Sequence, residues 1–251
     1  MLGRALLVNF VVVPLLAFGL LRAFNVNAAV SIGIMLMAMA PGVPFLVTAA
    51  GRDQGGSLAF TLEIALLFSA LSVVTLPLTA ALLLPPEILT RLPVLKVIGP
   101  LVVVQLLPVI AAIAFAPRLK PETAKKAGQL LHIVFLAAAT ILVILLAPKI
   151  GASIAAVYGF GNLLVIAAIG VLAAAAGWLC AGRDRQFRRT LSVASLLRNV
   201  GMCMLIGTAA FPADSLVVPS IIAYFVVPFA ISIPLRMYYK RTSAADAVPA
   251  V

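Results

Sequence analysis

A chain of 251 residues with 64% hydrophobic and only 10% charged residues, and a mean hydropathy of +1.23, is not a soluble domain. Soluble domains carry about a quarter charged residues, so this composition is that of a multi-pass membrane protein. A net charge of +11 would point to nucleic acid in a soluble chain; here the cations fall in loops between apolar stretches and are explained by topology instead.

Eight apolar spans follow one another. The first runs from Ala5 to Leu21 and holds Asn9 and Pro14. It opens like a secretory signal, with Arg4 ahead of an apolar run. No small-residue cleavage site closes it and further spans follow, so it reads as a retained span. The second, Ala28 to Ala50, contains Pro41-Gly42-Val43-Pro44, which removes two backbone donors and breaks the helix. After the polar turn Arg52 to Gly56, the third span covers Ser57 to Leu84 and carries Glu63, the only acid in any span. The fourth runs from Val94 to Phe115 with Gln105 and Pro108 inside it. The fifth runs from Leu130 to Leu146, with His132 near its start in a structural role. The sixth covers Gly161 to Leu179, the seventh Leu191 to Phe211 and the eighth Ser215 to Leu235, with a polar, loose tail expected from Tyr238. Cys180 and Cys203 show neither a pairing pattern nor metal-ligand spacing.

Charge orients these spans. With the amino terminus on one side, thirteen of the 18 Lys and Arg residues share that side and only Arg22, Arg91, Lys96 and Lys149 lie opposite. The positive-inside rule then predicts two cytoplasmic termini. The eighteenth cation is Arg198, inside the seventh span beside Asn199 and Gly201. Seven residues in, at about 1.5 Å of rise each, it lies about 10 Å below the surface of a hydrocarbon core about 30 Å thick. A charge there costs about 3 kcal/mol on insertion scales unless it faces protein or water. The reading that fits is a second broken helix whose ends and polar side chains line a site. The alternative is a structural arginine that snorkels or pairs off.

The two breaks are in register. From the start of span one to the proline break, and from the start of span six to Arg198, the interval is just under forty residues. Span one enters from the cytoplasm and span six from outside, so the two three-span units have opposite orientation. Paired discontinuous helices at matching places in inverted halves point to a transporter's binding site. The expected fold is therefore an all-α polytopic membrane protein of about eight spans in one transmembrane domain, an inverted-repeat transporter with two discontinuous helices.

The stretches APGVPFLVTAAGRDQGG and RRTLSVASLLRNVGMCMLIGTAAFP resemble the sodium/bile acid symporter family, most closely its bacterial members with an Arg-Asn pair at the second break. The resemblance implies a core domain with two crossing broken helices that moves against a panel domain. Residues 1–84 and 150–241 would be core-like and 93–148 panel-like, with 242–251 a loose tail. Against the family's ten spans, the chain starts at what resembles the third helix. This implies a fragment, a misplaced start, or a shortened carrier completed by a homo-oligomer or by a partner that supplies the first two panel helices; the bacterial likeness implies a bacterial inner membrane.

The family's sodium ligands are largely replaced. Leu46 and Val47 stand at the first break, where a one-residue shift would bring in Thr48, and Ala194 and Arg198 stand at the second. Asn9 stands where the family has a Gln, and Ser69 stands near a Thr. Sodium needs oxygen ligands, whereas Arg198 brings its own charge and five donors but no acceptor. Arg198 would therefore stand in for a cation and leave the site ready for an anion, with Glu63 its expected partner or a carboxylate binding a proton or the remaining sodium. The candidate site is Arg198, Asn199, Glu63, Asn9, Ser69 and Ser195, with Pro41, Gly42, Pro44 and Gly201 at the breaks. The function expected is secondary transport of a small organic anion by alternating access, with Na+ or H+ as coupling ion; the partners expected are the substrate, the lipid bilayer and the homo-oligomer or missing-helix partner named above, with no nucleic acid. The alternative is a non-transporting scaffold or incomplete remnant. An enzyme is excluded for want of a nucleophile with a base or a metal cluster, and a channel for want of a continuous polar pore.

Overall fold

A computed structural model describes residues 1–42, 46–51, 55–83, 159–211 and 215–246, with scattered positions between 99 and 157. The expected fourth and fifth spans, with Gln105, Pro108 and His132, lie outside the described residues, as does Pro44. Among the described residues, four helices are long and apolar enough to cross a membrane: α1 (Leu2–Ala23), α4 (Leu58–Leu83), α5 (Phe160–Cys180) and α8 (Val217–Asp246). Between them stand four short helices in two pairs, α2 (Ala28–Ala38) with α3 (Leu46–Ala50), and α6 (Arg185–Leu196) with α7 (Val200–Ala210).

Local chemistry sets these boundaries. Asn27 caps α2, its side chain accepting from the Ala29 amide, and Asp184 caps α6 by accepting from Gln186 and Phe187. Helix α1 passes through a π turn at Val8–Val12. Pro14 lies just beyond it and cannot donate back to the preceding turn, a common cause of such a bulge. Helix α2 is apolar on every side and is accordingly buried from Ile32 to Ala38.

The halves pack crosswise. Helix α2 packs on α7 and α8, while α3 packs on α6 and α4. The two broken helices thus lie side by side in opposite senses, each half against the far half of its partner. Two large apolar cores result. One gathers α2, α7 and the starts of α5 and α8 around Leu36, Met37, Ile166 and Ile206. The other gathers α3, α6 and the starts of α1 and α4 around Leu46, Ile64, Phe68 and Leu191. Helices α5 and α6 approach closely at Gly177, where an added Cβ would sit 2.5 Å from the Leu191 carbonyl oxygen and 2.8 Å from Ser195 Oγ.

Two expectations are corrected. Gly201 is not in the second break but in the first turn of α7; the chain is non-helical at residues 197–199 instead. The tail is not loose from Tyr238, because α8 continues to Asp246. Tyr239 is buried, stacks on Trp178 at 5.4 Å and donates to Ser192 Oγ, and Arg189 donates to Thr242 Oγ1. These contacts supply the partners that residue type alone does not disclose.

Candidate functional site at the two helix breaks

The two breaks meet. Pro41 and Arg198 form an isolated antiparallel bridge, and the Asn199 amide donates to the Ala40 carbonyl at 2.9 Å. Proline has no amide to offer, so the junction leans on carbonyls of the first break and amides of the second. The Pro41 carbonyl accepts from Ser72 Oγ of α4 at 2.9 Å. Gly42 has φ +96°, and a Cβ there would sit 3.0 Å from the Ser69 amide nitrogen and 3.1 Å from Phe68 Cβ. Only glycine suits both that backbone and that contact with α4.

On the second break, Leu197 and the residues around it are extended rather than helical. Asn199 is buried and caps α7, its Oδ1 accepting from the Met202 amide at 3.1 Å. Asn9, in the π turn of α1, is fully buried; its Nδ2 donates to Ala5 O at 3.0 Å and to Ser195 Oγ at 3.1 Å. The structure therefore brings together Asn9 with Ser195, and Pro41 with Arg198 and Asn199. Ser69 adjoins the first break through its backbone at Gly42.

Arg198 is only 2% exposed. Its Nε and both terminal nitrogens are buried without a hydrogen-bond partner among the described residues. Tyr224 of α8 and Cys203 of α7 are its polar neighbours. The Tyr224 hydroxyl stands close beside the guanidinium as a neutral polar neighbour, but it completes no well-aligned hydrogen bond among the described residues. Cys203 directs its thiol to the Leu36 carbonyl at 3.3 Å.

The expected Glu63–Arg198 pair is not formed. Glu63 is exposed on α4, on the outward side that also shows Leu62 and Leu66. An α4 residue facing the break must share a side with Phe68 and Ser72, and Glu63 does not. Leu46 and Ala194, at positions where a sodium ligand was sought, are buried apolar side chains; the side chains of Val47 and Thr48 lie outside the described residues.

Ser72, Tyr224 and Cys203 were not picked out by sequence. Tyr224 carried a signal, a hydroxyl in an otherwise apolar run, because buried tyrosines ordinarily find a partner. Ser72 carried none. Serines and threonines of membrane helices commonly bond the carbonyl four residues back, as Ser72 also does to Phe68.

A family model described as the Sodium Bile acid symporter family matches residues 1–157. The match takes in Asn9, the first break and α4, while the second break with Arg198 lies beyond it. No curated protein matches the chain.

Proposed function

The chain belongs to the sodium bile acid symporter family, and on that premise we propose that it is a secondary active carrier of a small organic anion, working by alternating access. What supports this reading is the buried Arg198 guanidinium, which has no completed hydrogen bond and only the neutral Tyr224 and Cys203 as polar neighbours among the described residues, set where the two helix breaks meet. An isolated buried ion costs several kcal/mol even after relaxation. The amino-terminal end of α7, one residue further on, adds a partial charge of the same sign. Both favour an anion, and a planar carboxylate fits a guanidinium through two parallel hydrogen bonds.

In this proposal Arg198 and Asn199 form the substrate side of the junction, with Asn9, Ser195 and Ser69 bracing it, and Glu63 has no part in it. The core would comprise two inverted halves, α1–α4 and α5–α8, with both termini cytoplasmic in a bacterial inner membrane. Sodium would be at most a weak coupling ion, because Leu46 and Ala194 offer it no side-chain oxygen and Arg198 repels it.

The test is uptake of radiolabelled cholate and succinate by proteoliposomes of the full chain, with and without a sodium gradient. Accumulation of one of these anions that changes little with the gradient, and is lost in Arg198→Gln, is the expected result. Folded protein that accumulates neither anion would favour the scaffold. Normal transport by Arg198→Gln would remove Arg198 from the site.

A further inference from the structure

We propose that the groove between α5 and α8 beside Trp178 binds an anionic phospholipid, with an acyl chain along the groove and the phosphate on Arg188. The groove is lined by Val171, Ala175 and Trp178 of α5 and by Ile231, Leu235 and Tyr239 of α8, and it encloses about 390 Å³. That volume lies within the range of roughly 300–1,000 Å³ typical of ligand pockets. Its lining is almost wholly apolar, and its polar groups are mutually satisfied, since the Tyr239 hydroxyl donates to Ser192 Oγ at 3.1 Å. A polar solute would find nothing to bond there; a hydrocarbon chain needs nothing more.

The charge sits at one end. The guanidinium of Arg188 lies over the Trp178 ring, 5.7 Å from its centroid. Its Nε donates to the Gly182 carbonyl at 2.5 Å, which fixes the fork and leaves its two terminal nitrogens without a hydrogen bond among the described residues. The nearest acid in sequence, Asp184, is engaged as the cap of α6. Arg183, Arg185, Arg236, Lys240 and Arg241 stand at this same end of α5 and α8. The stacked Trp178 and Tyr239 are the residue types that settle at headgroup depth. An apolar furrow ending in an aromatic pair capped by a fixed cation matches an acyl chain ending in a phosphate, and basic pockets between membrane helices bind such headgroups. A zwitterionic lipid would fill the furrow equally well but would gain less at Arg188; one cation near the surface corresponds to roughly a fivefold preference for the anionic lipid.

Trp178 is the only tryptophan of the chain, so its fluorescence reports on this groove alone. The full chain is reconstituted in phosphatidylcholine vesicles holding the same small mole fraction of either brominated phosphatidylglycerol or brominated phosphatidylcholine. The expected result is stronger quenching of Trp178 by the brominated phosphatidylglycerol, by roughly fivefold in apparent affinity. Arg188→Gln should abolish that preference, and Arg183→Gln should keep it. Ala175→Leu, which fills the groove and leaves every charge in place, should weaken quenching by both lipids and serves where Arg188→Gln does not fold. Equal quenching of the unaltered protein by the two lipids would overturn the proposal. So would a preference that survives Arg188→Gln, or one lost equally in Arg183→Gln, which would assign it to diffuse surface charge.

Discussion

Replacing Arg198 by methionine separates a binding charge from a structural one. The guanidinium is 2% exposed and without a hydrogen-bond acceptor among the described residues, so in the anion-free protein it contributes desolvation cost and little attraction. Methionine has comparable reach and fills irregular space. Apolar replacement of even a paired buried ion is neutral or stabilising by about 1–4 kcal/mol, and an unpaired ion has less to lose. We expect Arg198→Met to melt several degrees higher than the unaltered protein in a buffer whose only anions are bulky sulfonates. Adding a transported carboxylate should reverse the order. At a hundred times its dissociation constant a ligand stabilises by about 2.7 kcal/mol, and only the protein with Arg198 should respond. The assay is thermal unfolding followed by Trp178 fluorescence, with and without the carboxylate. A variant that melts lower in the anion-free buffer would refute the reasoning, because it would mean that Arg198 is held by a partner within the protein.

Gly42→Ala should lower stability by about 2 kcal/mol or more, since a side chain at φ +96° is strained and its Cβ would press on Ser69 and Phe68; thermal melting checks this, and an unchanged melting point would show that the first break relaxes freely. Ser72→Ala removes the donor to the Pro41 carbonyl and should cost about 0.5–1.5 kcal/mol; uptake should fall in a protein that still folds. Tyr239→Phe keeps the stack on Trp178 but loses the bond to Ser192. It should cost about 1 kcal/mol of stability without changing transport, measured by melting and uptake on one preparation.

The sequence disclosed the long apolar helices α1, α4, α5 and the start of α8 because apolar length is a direct physical requirement of the bilayer. The described ends of α1, α4 and α5 fall within three residues of those expected. It disclosed both breaks because proline and a charge are costly inside a membrane helix. It did not disclose which way α4 faces. That helix is apolar around its whole circumference, with Leu58, Leu62, Leu66, Val74, Leu78 and Leu82 on the exposed side and Phe60, Ile64, Phe68 and Leu76 inside. Periodicity cannot orient such a helix, and only the rarity of an acid in a span and the family resemblance pointed Glu63 toward the site. The end of α8 misled for the opposite reason: its residues are polar, but Arg189, Ser192 and Trp178 from elsewhere in the chain give them partners. The meeting of Pro41 and Arg198 joins residues 157 positions apart, and matched spacing in two halves implied their correspondence without fixing their register.

The distribution of satisfied and unsatisfied groups at the junction has a consequence for binding. Backbone groups around both breaks find partners: Ala40 O takes the Asn199 amide, Pro41 O takes Ser72 Oγ, and the Met202 amide donates to Asn199 Oδ1. Among the described residues, the atoms there without a completed hydrogen bond are side-chain ones, the Arg198 guanidinium, the Tyr224 hydroxyl and Asn9 Oδ1. Hydrogen bonds that fix the geometry are made, and those that would neutralise the charge are not. Folding thus bears the desolvation of Arg198 before any ligand arrives. On the proposed function, an anion entering the site would meet a donor already dehydrated, and that part of the cost would fall outside the binding step. Arg198→Lys would keep the charge while losing the planar fork. It should therefore retain attraction for anions in general and lose selectivity for carboxylates, which is the pattern expected when preorganised geometry, and not charge alone, sets the affinity.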